Sequence, residues 1–147
     1  MKQAVFLITL IGVIFLFSCK KSCSIDNELS SLNGKWRMII VKENVSGFTT
    51  TKASAIHGEV EITFISTSST AGSFIGNTPT NEIWQNDYVI GSNKSITIPT
   101  LSMTKVMETS WGKEFVDNIR NSQEYNFERG GKLNIKTTNK TLTFRKL

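Results

Sequence analysis

The stretch TSWGKEFVDNIRNSQEYNF, residues 109–127, changes its period half-way along, and that change decides the fold class. Trp111, Phe115 and Ile119 fall at i, i+4 and i+8, with Val116 beside them. Lys113, Glu114, Asp117, Asn118 and Arg120 occupy the remaining positions. That is the spacing of one apolar stripe on a helix, expected over Glu108 to Ser122. Thr109 or Ser110 can cap its start, and Gly112 weakens its first turn. From Tyr125 the period drops to two, with Tyr125 and Phe127 on one face.

Strand patterning continues on both sides of this helix. Towards the C-terminus, Gly130-Gly131 turns, Leu133 and Ile135 alternate, Thr138-Asn139-Lys140 turns again, and Leu142 and Phe144 alternate. Before the helix, Gly58 to Ile65 alternates cleanly: Val60, Ile62 and Phe64 face inward, Glu59, Glu61 and Thr63 outward. Trp36, Met38 and Ile40 share a face at period two, with Ile39 and Val41 opposite. Ser73 to Gly76, Trp84 to Ile90 and Ser95 to Pro99 are further short extended runs. Polar turns separate them, Asn77 to Asn81 among them, and Val45 to Ala55 is a loop or edge hairpin. No strand–helix–strand alternation occurs, so the sheet is expected to be antiparallel. The fold class is α+β, mostly antiparallel β: a small curved sheet or barrel-like domain with one helix before its last two or three strands.

The N-terminus has a different character. Met1-Lys2-Gln3 is a short positive region, and Ala4 to Phe17 is apolar apart from Thr9 and Gly12. That run is shorter than the roughly 20 residues that span a bilayer and fits a signal peptide. Leu16-Phe17-Ser18-Cys19 closes it and resembles a lipobox. Residues 1–18 are therefore expected to be a lipoprotein signal peptide. Cys19 is expected to carry a thioether-linked diacylglycerol and a third chain on its freed amine. Each buried methylene is worth about 0.8 kcal/mol, and two or more chains make anchoring stable. Residues 19–31 form the lipidated tether, in which Cys23 is a free thiol or an intermolecular partner. By analogy with the sorting rule of enteric lipoproteins, Lys20 after the lipid cysteine favours export to the outer membrane, which is the expected location. Residues 32–147 suit one domain, whose usual size is roughly 100–150 residues.

The segment 32–147 resembles the META domain, also called HslJ-like, of small envelope proteins and lipoproteins. The residues that carry the resemblance are Leu32-Asn33-Gly34-Lys35-Trp36 at the start, Gly76 and Asn81 around a turn, and Tyr88 in the next strand. Leu101 to Glu108, Glu114-Phe115 with Ile119, Tyr125, Gly131 to Ile135 and Leu142-Thr143-Phe144 complete them. Two cysteine positions common in that family are occupied here by Thr80 and by Val106-Met107, so no thiol chemistry carries over to them. Gly34-Lys35-Trp36 and the final Leu142 to Leu147 also resemble a lipocalin-like lipoprotein.

Chemistry-bearing residues are sparse. The 17 basic and 12 acidic residues are scattered rather than gathered, which speaks against nucleic acid as a partner. His57 is the one histidine, so neither a Ser-His-Asp set nor a histidine metal site is expected. Glu59 and Glu61 share the polar face of a strand and are expected to be solvated, and Glu114 to pair with a nearby cation. Gly130-Gly131 lacks the following Lys-Ser/Thr of a phosphate loop. No catalytic residue, cofactor or metal is expected. Trp36 and Trp111 belong to apolar stripes and are expected in the core. Trp84, between polar neighbours, is the candidate contact for an envelope partner, together with Asn81 and Asp87. The expected function is a non-enzymatic, lipid-anchored binding module, with carriage of a small apolar ligand as the alternative.

Overall fold

The computed structural model describes residues 31–147. The expected signal peptide, Cys19, Cys23 and the expected tether up to residue 30 lie outside the described residues. The chain opens with β1 (Gly34–Glu43), pairs briefly with β2 (Thr49–Thr50), and continues through β3 (Glu61–Ser66), β4 (Ala71–Asn77), β5 (Glu82–Ile90) and β6 (Ile96–Thr97). Helix α1 (Ser110–Ile119) follows, and β7 (Ser122–Glu128), β8 (Lys132–Thr137) and β9 (Lys140–Lys146) complete the fold.

Every strand pairing is antiparallel, in the order β6-β5-β4-β3-β1-β9-β8-β7, with β2 on β1 outside that path. The two end strands approach each other through an antiparallel bridge between Ser95 and Glu124. The sheet is thus a nearly closed barrel. The near-closure shortens the open edges that would otherwise invite another strand.

The interior is filled by side chains. Trp36, Ile62, Phe64, Phe74, Tyr88, Phe144 and their neighbours form one buried apolar cluster. Rings cross within it: Phe64 meets Tyr88 edge-on at 5.2 Å and Phe74 at 5.6 Å. The Trp36 indole N–H donates to the Leu32 carbonyl at 2.7 Å, which fixes the approach to β1. Helix α1 presents Trp111, Phe115 and Ile119 to this core, and Phe115 meets Phe144 edge-on at 6.5 Å. The cap is Thr109, whose hydroxyl accepts from the Gly112 N–H at 3.1 Å.

β1 departs from simple alternation. Trp36 and Met38 face inward, but the register against β9 shifts between Met38 and Ile40. The extra residue puts Val41 in the core, 2 % exposed, and leaves Ile40 half-buried. The expected face for Ile40 and Val41 is therefore reversed. At the β7–β8 turn, Gly130 and Gly131 both take positive φ, 82° and 71°, which glycine adopts without steric cost.

Candidate functional site

The polar segment from Asn77 to Asp87 is the turn between β4 and β5 and the first half of β5. Beside it runs the stretch from Ser102 to Glu108, which leads into α1. Trp84 N–H donates to the Ser102 carbonyl and Thr104 N–H to the Glu82 carbonyl, each at 3.0 Å. Ile83 and Met103 form the bridge between these two bonds.

Two asparagine side chains extend this short ladder where the backbone cannot. Asn86, 2 % exposed, accepts from the Ser102 N–H at 2.5 Å and donates to the carbonyls of Trp84 (2.7 Å) and Ser102 (3.1 Å). Asn81, 4 % exposed, accepts from the Val106 N–H at 2.7 Å and the Thr104 hydroxyl at 3.0 Å. It donates to the Val106 carbonyl and to Glu108 Oε2, both at 2.9 Å. A side-chain amide offers the same donor and acceptor as a peptide group, so each asparagine substitutes for a strand residue. The expectation that Asn81 contacts a partner is corrected: its amide is spent inside the domain.

Glu108 is the second centre of this network. Thr78 Oγ1 donates to its Oε2, while Thr80 Oγ1 (2.8 Å) and the Thr109 N–H (3.0 Å) donate to its Oε1. Burial alone would raise its carboxyl, but these donors outweigh burial and hold it below the ordinary carboxylate range. It stays ionised with both oxygens engaged, so it orders the turn rather than carrying protons. The sequence signal for this hub is the run of Asn and Thr in Asn77, Thr78, Thr80 and Asn81, whose partners Thr104, Val106 and Glu108 lie about 25 residues on.

Trp84 is 53 % exposed on the outer face. Between the pairs Phe74–Asn86 and Gly76–Ile83, β4 contributes Ile75 alone and β5 contributes Trp84 and Gln85. This bulge turns the indole outward beside Ile75, which is 42 % exposed. Ile65 on β3 and Val89 on β5 add exposed apolar surface, and Asp87 is exposed between Trp84 and Val89. Trp36 and Trp111 are buried, as their stripes suggested. Trp111 Nε1 is buried with no partner among the described residues.

The other sequence candidates separate. His57 is exposed in the loop before β3. Glu59 pairs with Lys52 at 2.9 Å, and Glu114 pairs with Lys140 at 2.7 Å. Glu61 corrects the expectation of a solvated carboxylate: its side chain is only 13 % exposed, with Lys35 and Arg37 nitrogens each 2.6 Å away. The Lys35 hydrogen bond, supported by Arg37 against the opposing effect of burial, holds its carboxyl below the usual range. Among the described residues, no three His, Cys, Asp or Glu side chains gather as metal ligands. Clefts also lie elsewhere among the described residues. One of about 510 Å³ runs between β6 and α1 beside Ile98, Val116 and Arg120. One of about 140 Å³ lies beside Ile56, Ser110 and Trp111.

The two depressed carboxyls set the acid response. Their stabilisation is complete above the unfolded value of about 4.3 and is lost as pH falls through the lower folded values. The melting temperature is expected to hold from neutral pH down to about pH 5 and to fall below about pH 4. Glu61→Gln should be less stable than the parent at pH 7 and close to it at the acid end. Thermal melts across this range read the difference.

No protein-family model matches the chain. No curated protein is significantly similar to it. Among solved structures, it resembles one titled "NMR structure of the protein from Burkholderia xenovorans", with a TM-score of 0.57. That likeness covers 82 % of this chain and 87 % of the other at 17 % identity, and it concerns the fold.

Proposed function

We propose that this chain is a non-enzymatic binding module of the cell envelope, related to META-type lipoproteins and held at the outer membrane by acyl chains on Cys19. It contacts an envelope protein or component through the outer face of β3–β5, with Trp84 as the anchor. The observation that carries this reading is the placement of Trp84. A large indole is half in solvent beside Ile75, on a bulge that Asn86 clamps from behind. Exposed apolar side chains are ordinary when scattered, whereas neighbours on one rigid face are a contact surface.

Replacing Trp84 by Ala should shift the melting temperature by no more than about 3 °C, as an exposed substitution does. It should abolish capture of the partner cross-linked from intact envelopes by the anchored protein. A large loss of stability with capture intact would contradict the reading.

The alternative, lipocalin-like carriage of a small apolar ligand, draws on the barrel-like closure. The inward positions that would line a ligand cavity hold crossed aromatic rings instead. Native mass spectrometry decides between them: an apolar ligand retained by the purified protein would favour the carrier.

A further inference from the structure

The basic residues are not distributed evenly over the barrel. The pairings place Lys132 opposite Arg145, and Arg145 opposite Arg37, so three cations stand side by side on adjacent strands β8, β9 and β1. Glu61 stands beside Arg37 at one end of the row and Glu128 opposite Lys132 at the other, so Arg145 is the member with a cation on both sides. Like charges directly opposite in a ladder repel, so the fold carries this row at a cost to its own stability. Arg129 in the β7–β8 turn and Lys94 in the β5–β6 turn extend the positive surface around the same end. The acidic side chains near them are Glu128, whose Oε1 accepts from Asn134 at 2.6 Å, and Glu124 on β7. At the opposite end three cations are held in ion pairs, Lys52–Glu59, Lys113–Asp117 and Lys140–Glu114.

The chain also enters the barrel at the basic end. Ser31 stands three residues before β1, whose first residues pair with the end of β3 and with Lys146 of β9. The twelve residue-to-residue steps from Cys19 to Ser31 reach at most about 40 Å whatever their conformation. Charge complementarity and the entry point therefore coincide.

We infer that the end of the barrel carrying Lys132, Arg145, Arg129 and Lys94 rests on the anionic headgroups of the bilayer that holds the anchor. The inference rests on the anchored reading above. Each basic side chain near an anionic surface contributes about fivefold in binding within a Debye length of about 8–10 Å. Trp84 lies near the start of β5, at the far end of that strand from the β5–β6 turn that carries Lys94.

The test uses the acylated protein purified from envelopes, in a Cys23→Ser background. A fluorophore is placed at Ser69→Cys in the β3–β4 turn of the basic end, or at Asn139→Cys in the β8–β9 turn of the opposite end. Energy transfer to a headgroup-attached acceptor is read on vesicles of phosphatidylcholine alone and with about 30 % phosphatidylglycerol. Transfer from position 69 should exceed that from 139 on the anionic vesicles by about twofold or more, and the excess should vanish at about 0.5 M salt. It should also vanish in the folded triple variant Arg129→Glu, Lys132→Glu, Arg145→Glu, checked by its melting temperature. Equal transfer from both positions on anionic vesicles, or an excess that survives the triple reversal, overturns the inference. Failure of the anchor shows separately, as protein that does not stay on neutral vesicles. End-specific transfer on anionic vesicles still reads the basic end in that case.

Discussion

Asn81→Ala is expected to destabilise the domain by about 3 kcal/mol, lowering its melting temperature by about 10 °C. The alanine would leave the Val106 N–H and carbonyl, the Thr104 hydroxyl and Glu108 Oε2 each short of a partner at once. Buried groups that lose a partner cost more than the bond itself was worth in net stability. Asn81→Asp should be worse than alanine. It would set a second carboxylate beside Glu108, which already sits 2.9 Å from the Asn81 amide. Thermal melts of both variants check the order. If Asn81 served a partner instead, both variants would melt with the parent.

Gly76→Ala is the second large effect, also about 3 kcal/mol or more. Gly76 lies on β4 between Ile62 of β3 and Ile83 of β5. A Cβ there would overlap the Glu61 carbonyl oxygen and crowd the Ile62 Cα. These are backbone atoms in the middle of the sheet, so no rotamer change relieves the overlap. Gly130 is the control: nothing lies within 4 Å of its added Cβ, and only its positive φ opposes a side chain. Gly130→Asn should cost far less than Gly76→Ala, since asparagine tolerates that conformation. A denaturation midpoint for Gly76→Ala close to that of the parent would mean that β3 and β4 part easily.

The fold was legible wherever one face is apolar and the other polar. Val60, Ile62 and Phe64 alternate with polar residues, and Trp111, Phe115 and Ile119 recur every four, so periodicity alone placed β3 and α1. β1 was misread because Ile39, Ile40 and Val41 are all apolar, and a bulge among such residues leaves no trace in the pattern. The stretch from Ser102 to Glu108 was opaque for another reason. It lies against β5 through a single bridge and two backbone bonds, extended by the side chains of Asn81 and Asn86, and so short a contact leaves no period.

The candidate site divides in the same way. Trp84 stood out because a large apolar side chain among Glu82, Gln85 and Asp87 has no stripe to join. Asn81 stood in the same polar turn, but its direction depends on partners about 25 residues further on. Glu61 looked solvated by alternation. Its two cations come from the neighbouring strand, which only the register between β1 and β3 reveals.

The proposed tether to a bilayer is the premise on which the readings of the basic end and of the Trp84 face both rest. Intact-mass and N-terminal analysis of the protein taken from the envelope tests this most directly. The expected result is a chain beginning at Cys19 and heavier by a diacylglyceryl group and one further acyl chain. A chain that begins at Met1, or an unmodified Cys19, would contradict it.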